Sequence, residues 1–129
     1  MKFELTVLGS NSAVPANGRN LSAQVLNIQH ELLLIDCGES TQWQLLKYKI
    51  KYARINHIFI SHLHGDHIFG LIGLLSTYGL NRRKRPLHIY SPEGLDLIIE
   101  VQLRLTQMEL PYPLHFHKTN PSRSELILD

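Results

Sequence analysis

Apolar and polar positions alternate along the first stretch of the chain. Phe3, Leu5 and Val7 share one face of Lys2–Leu8, which predicts a strand. Gly9 to Asn20 is rich in Gly, Ser, Asn and Pro and reads as a loop. Leu21–Ile28 and Leu32–Asp36 are two further strand patterns, joined by the polar turn Gln29-His30-Glu31 as a hairpin. The period then lengthens. Ser40 or Thr41 caps a helix through about Tyr48 that is expected to bury Trp43, Leu46 and Ile50. Ile55–Ile60 is a short strand. Ile68–Tyr78 has Leu71, Ile72, Leu75 and Tyr78 at helical spacing. Leu87–Tyr90 is a strand, and Pro92 suits the first turn of a helix through about Thr106 with Leu95, Ile98, Ile99 and Leu103 inward. Leu114–Lys118 reads as a last strand, and Ser124–Asp129 ends on an apolar alternation. Strands first, then strands alternating with helices, describe a layered α/β or α+β sheet with helices on one face. The helix content is too small to cover both faces.

Composition narrows this picture only slightly. The 129 residues are 43% apolar, enough for one core and one domain. A net charge of +2 permits a nucleic-acid partner without arguing for one. Cys37 is the only cysteine, so no intrachain disulfide forms, which suits a reducing, cytoplasmic setting. No apolar run approaches the ~20 residues that span a bilayer, and the N-terminus lacks the pattern of a signal peptide.

The chemistry concentrates in Ser61-His62-Leu63-His64-Gly65-Asp66-His67, directly after the strand Ile55–Ile60. Zinc favours imidazole nitrogen and carboxylate oxygen, usually four ligands in a tetrahedron. His62 and His64 point to one side of an extended segment and can share a metal. Gly65 allows a sharp turn, after which Asp66 and His67 can face a second metal. Two metals ~3.5–4 Å apart bridge a water, lower its pKa and clamp the oxygens of an in-line phosphoryl displacement. Asp36, at the end of a strand, either holds the far nitrogen of a ligand histidine or only orders the turn to Gly38. Cys37 reads as a small buried apolar residue. His115 and His117 alternate on a strand and read as an exposed edge. Two basic stretches, Lys47–Arg54 and Arg82-Arg83-Lys84-Arg85, offer cations to nucleic-acid phosphates, and Tyr48 and Tyr52 offer stacking surfaces to bases.

His62-x-His64-x-Asp66-His67 resembles the signature of the metallo-β-lactamase fold. More narrowly, the chain resembles the N-terminal part of the ribonuclease Z family of tRNA 3′-processing endoribonucleases. Leu8-Gly9-Ser10 through Pro15 to Arg19-Asn20 resembles the loop after that family's first strand. Asp36-Cys37-Gly38-Glu39-Ser40-Thr41-Gln42 is similar to its Asp-Cys-Gly-Glu-x-Thr-Gln segment. Phe59–His67 followed by Gly70-Leu71 and Gly73-Leu74-Leu75 resembles its metal motif and the helix after it.

The resemblance implies an αβ/βα sandwich of which residues 1–129 form about the N-terminal half. It implies two Zn2+ ions per complete site, with His62 and His64 on one and Asp66 and His67 on the other. Asp66 would also accept the proton of the attacking water. The substrate implied is precursor tRNA, cut 3′ of the discriminator nucleotide to leave a 3′-hydroxyl on the tRNA and a 5′-phosphate on the trailer. A homodimer is implied as well. Arg19 and Asn20, from the loop, join Arg82, Arg83, Lys84 and Arg85 as candidate substrate contacts.

Two departures qualify the match. The family loop usually carries a lysine where this chain has Asn17, so a phosphate-pairing cation is missing. Family members are also considerably longer, and their later part supplies further histidines, a bridging aspartate and a tRNA-gripping arm that have no counterpart in residues 1–129. Two ligands per metal leave each shell incomplete. Two other readings therefore stand beside the nuclease: another phosphodiesterase or thioester hydrolase of the same fold, and a non-catalytic fragment that binds RNA or self-associates.

Overall fold

Six strands join in one sheet in the order in which the chain makes them. They are β1 (Phe3–Gly9), β2 (Ala23–Ile28), β3 (Glu31–Ile35), β4 (Ile55–Phe59), β5 (Leu87–Ser91) and β6 (Leu114–Lys118). The computed structural model describes residues 2–10, 20–122 and 124–125, so part of the loop after β1 and most of the final apolar alternation lie outside the described residues. The strands β1, β2 and β3 form an antiparallel meander. Gln29 and His30 both take positive φ in the β2–β3 turn, the hand that fits a tight hairpin between twisted strands. From β3 to β6 every pairing is parallel.

Parallel neighbours need crossovers, and these carry the helices. Helix α1 (Thr41–Lys47) lies between β3 and β4, α2 (Gly65–Ile68) and α3 (Leu71–Leu80) between β4 and β5, and α4 (Leu95–Leu105) between β5 and β6. The strand order advances steadily in one direction. Right-handed crossovers then place every helix on the same face of the sheet. The core lies there. Val25, Leu34, Ile58 and Ile89 are aligned across four strands and none is more than 2% exposed. They meet Leu45 of α1, Leu71, Leu74 and Leu75 of α3, and Leu95 and Ile99 of α4. Each such aliphatic side chain stabilises the fold by about 1.5–3 kcal/mol relative to exposure.

The strands agree with the periodicity to within two residues, whereas the helices depart from it in three places. Helix α1 buries Thr41 and Leu45 and leaves Trp43 73% and Leu46 55% exposed, the opposite of the face expected. The Thr41 hydroxyl donates to the Gly38 carbonyl at 2.6 Å and sets the rotation of the helix, so position 41 and the position one turn on face inward. The helix expected over 68–78 is two helices. The Gly70 N–H leaves the helical ladder and donates to the Cys37 carbonyl at 3.0 Å, which separates α2 from α3. Helix α4 begins at Leu95, after Gly94 at φ 114°, and not at Pro92; Ile98 is exposed.

This packing predicts a contrast between two apolar residues. Ile58→Ala should cost about 2–5 kcal/mol, because a fully buried side chain leaves a cavity. Trp43→Ala should change stability by less than about 0.5 kcal/mol. Urea unfolding followed by far-ultraviolet circular dichroism measures both.

Candidate metal centre

The histidine run follows β4, and Asp36 follows its parallel neighbour β3. Both therefore lie at the carboxyl ends of adjacent parallel strands, where α/β sheets place their sites. Asp36 takes φ 61°, and its N–H donates to the Phe59 carbonyl at 2.7 Å, which ties the two strand ends together. Its carboxylate is buried and well supplied. Oδ1 accepts the Ser61 N–H at 2.8 Å, and the Ser61 hydroxyl lies 3.0 and 2.9 Å from Oδ1 and Oδ2. The His67 Nδ1 is 2.8 Å from Oδ2. Asp36 thus both orders the turn and holds a histidine of the run.

This network selects tautomers. With the Ser61 proton on Asp36, the His62 Nδ1, 2.9 Å from Ser61 Oγ, must carry a hydrogen and donate it. His67 donates from Nδ1 to Asp36. Both rings then keep Nε2 as a bare donor atom, the arrangement that second-sphere carboxylates impose on metal-binding histidines. His67 Nε2 faces Asp66 Oδ2 at 3.2 Å. Two lone pairs at that distance need a proton or a cation between them. The ring of His62 lies 3.8 Å from that of His67 and 4.8 Å from that of His64, so all three imidazoles converge. The donors fit zinc in kind. They fall short in number: among the described residues, no group of three or more His, Cys, Asp or Glu could hold a metal ion.

The backbone beneath this cluster is tightly welded. Cys37 donates its N–H to the His67 carbonyl at 2.8 Å. A Cβ on Gly70 would stand 2.1 Å from the Gly38 oxygen, and one on Gly38 would stand 2.6 Å from the Asp66 oxygen. Only glycine permits the Asp36–Gly38 turn and the α2–α3 junction to approach this closely. Cys37 itself is fully buried, and that burial pushes its thiol up to about 12, so it serves as a packing residue. Ser61 is the residue that sequence reasoning passed over. Its only signal was its place between a strand and the first histidine.

The basic candidates lie elsewhere. Arg82–Arg85 precede β5 and sit at the amino ends of the parallel strands. Arg83 reaches the Ile55 carbonyl, at the start of β4, while the histidine run follows that strand's end, so about 16 Å of strand separates the two. Arg83 is moreover a structural clamp and not a free phosphate contact. It is 8% exposed and donates to the carbonyls of Ala53, Ile55, Arg85 and Pro86 and to Asn56 Oδ1. Its guanidinium also stacks 5.0 Å from the Tyr78 ring centre and 5.8 Å from that of Tyr112. Asn56 is the residue at which the β3–β4 register slips, so the clamp closes an irregular stretch of backbone. Arg82, Lys84 and Arg85 are exposed, although Arg85 also donates to the Ala53 carbonyl. Asn20 is half-buried, and Arg19 and Asn17 lie outside the described residues.

A family model described as anti-Pycsar protein Apyc1 matches residues 3–110. The chain belongs to this family. It is also 54% identical over all 129 residues to a ribonuclease Z of Cytophaga hutchinsonii and 47% identical over 128 residues to one of Bacteroides thetaiotaomicron. It spans 41% and 40% of those two proteins, about two fifths of their length. Among solved structures, human short-form tRNase Z is 46% identical with a TM-score of 0.82, over 88% of this chain and 44% of that one. The metallo-β-lactamase fold protein YhfI of Bacillus subtilis, at 24% identity and a TM-score of 0.70 over 95% of this chain and 48% of that one, shares the fold. The recognition made from the Asp36–Gln42 and His62–His67 segments therefore holds, for the fold and for the resemblance to ribonuclease Z.

The clamp yields a prediction. Arg83→Ala strands several buried carbonyls at once and should cost about 3 kcal/mol or more. Lys84→Ala, one position on, should leave the unfolding midpoint in urea unchanged.

Proposed function

We propose that the chain carries one side of the metal centre of a zinc-dependent endoribonuclease of the ribonuclease Z type, which removes 3′ trailers from precursor tRNA. The observation that carries this reading is the line Asp36–His67–Asp66, in which a buried carboxylate fixes one imidazole nitrogen and turns the other toward a second carboxylate. The identity to ribonuclease Z proteins over nearly the whole chain supports the substrate class. His62 and His64 would hold one zinc, and Asp66 and His67 the other. Zinc, when bound, supplies a Lewis acid for the scissile phosphate and water acidic enough to attack near neutral pH. Asp66 takes up the proton that the attacking water loses. Asp36 and Ser61 keep His67 and His62 in the tautomers that present Nε2. Exposed Arg82, Lys84 and Arg85, at the far rim, would touch a part of the tRNA remote from the cut, and Arg19 and Asn20 would contribute from the loop after β1. The setting proposed is cytoplasmic; among the described residues no helix is long and apolar enough to cross a membrane. The protein would act as a homodimer, and further metal donors would have to join the four in this chain.

The matched family model is named for an anti-Pycsar protein and not for a ribonuclease. A phosphodiesterase of the same fold acting on a smaller diester stands as the second reading.

Zinc content per chain after gel filtration, paired with cleavage assays, separates these readings. Zinc should bind, Asp36→Asn should weaken it about 10–100-fold, and His67→Ala should abolish it. Zinc retention unchanged by both substitutions would remove the site. Single-position cleavage beside the discriminator supports the nuclease, whereas turnover of a small phosphodiester with intact precursor tRNA moves the assignment to the second reading.

A further inference from the structure

The candidate metal donors end at His67, and just beyond them the chain leaves a whole aromatic ring in solvent. Phe69 is 69% exposed. It closes α2: its N–H donates to the Gly65 carbonyl at 2.9 Å, and its ring turns back along the helix over Gly65. A Cβ on Gly65 would meet three atoms of that ring, at 2.2, 2.3 and 2.8 Å. The backbone asks for no glycine there. Gly65 lies in α2 without a positive φ, and helices favour alanine over glycine. The turn into α2 is made at His64, in extended conformation at φ -65° and ψ 145°, and not at Gly65 as the sequence suggested. What requires a glycine at this position is the Phe69 ring. The ring thus rests on the residue between His64 and Asp66, two of the four metal donors. Asp66 and Phe69 also stand three positions apart, on one side of the helix.

We propose that Phe69 is a stacking platform for the nucleobase beside the scissile phosphate, and that Gly65 seats it. The inference rests on the nuclease reading and deepens it. A phosphate held at the metal donors carries a base on each side, and the ring lies against the backbone between two of those donors. Every base has a π-face, so an aromatic platform holds a nucleotide without reading its identity. That suits a cut defined by position and not by sequence. Pinning one base also removes rotational freedom from the phosphodiester next to it and presents the phosphorus on the side of Asp66.

The surroundings of the ring favour a base over an apolar protein partner. His62 and His64 are exposed, and Asp66 is partly buried. A base lays an apolar face on the ring and offers polar edges to these neighbours. An aliphatic surface would dehydrate them without replacing their hydrogen bonds.

RNA binding by the 129-residue chain tests this without any cleavage. The probe is an RNA hairpin with an acceptor stem and a 3′ trailer, fluorescently labelled at its 5′ end and titrated by anisotropy at fixed salt. Two further probes carry an abasic nucleotide on one side of the cut or the other. Phe69→Ala should weaken binding of the intact RNA about 10-fold, and Phe69→Tyr should bind as the parent chain does. Loss of the base on one of the two sides should cost as much as Phe69→Ala, and combining the two should cost no more, because ring and base act as a pair. Gly65→Ala keeps the ring but displaces it. The displaced atoms are the far end of a flexible side chain, so the circular dichroism spectrum should stay unchanged while binding falls as in Phe69→Ala. Losses from ring and base that simply add, on both sides of the cut, would overturn the platform. So would equal affinity of the parent chain and Phe69→Ala for the intact RNA. An RNA that fails to bind the chain at all would also overturn it, while zinc retention, measured separately, still decides the metal centre.

Discussion

The Asp36 carboxylate is the point at which fold and site meet. It is buried at the end of a strand, where an unpaired charge would be costly, and it is stabilised by donors from Ser61 and His67. Those donors belong to the segment after the next strand. The same bonds that compensate the burial of Asp36 therefore fix the start of the histidine run and the orientation of its last imidazole. The glycines at 38 and 70 let the two segments close to backbone contact. Without that approach the carboxylate could not reach His67. The parallel pairing of β3 and β4 is what brings the two ends side by side in the first place.

How much of this could be read from the sequence depends on the range of the interaction concerned. The histidine run was legible because its spacing is local: four metal-capable side chains after a strand carry their own geometry. The role of Asp36 was only half legible, since its partners lie 25 and 31 positions away and either reading of it fitted the local sequence. Ser61 gave only the signal of its place between a strand and the first histidine, and serine before a turn is ordinary. Helix α1 was misread for a physical reason. Seven residues make two turns, too few for a period to define a face, and one hydroxyl bond from Thr41 sets the rotation. Arg83 was misread for another. A run of four cations looks like a solvated surface until the fold brings carbonyls from 28 and 30 residues away into the plane of its guanidinium.

The separation of the two rims follows from the same parallel topology. The strands β3 to β6 run one way and give that part of the sheet a carboxyl edge, where loops from neighbouring strands can pool polar side chains, and an amino edge, where the crossovers return. Asp36 and the histidines occupy the first, and Arg83 stitches the second around the slipped register at Asn56. A substrate touching the metal donors and the exposed cations together must span the length of β4 and its flanking turns. An extended polyanion such as tRNA can do so, whereas a small diester cannot, so cations at the amino edge discriminate between substrates only if they are used at all.

The two faces of the sheet pose a different constraint. Period-two alternation puts every second residue of β4–β6 on the face away from the helices, and there the chain places His57, His88, His115, His117, Phe59 and Tyr90. A face meant only for water would tolerate charged, flexible side chains, and a face meant only for permanent burial would be aliphatic. Stacked imidazoles suit neither extreme. The rings are flat and stacked at about 5 Å, and His88 and His117 are hydrogen-bonded to each other. Beside them the β1–β3 half offers aliphatic side chains that water does not favour.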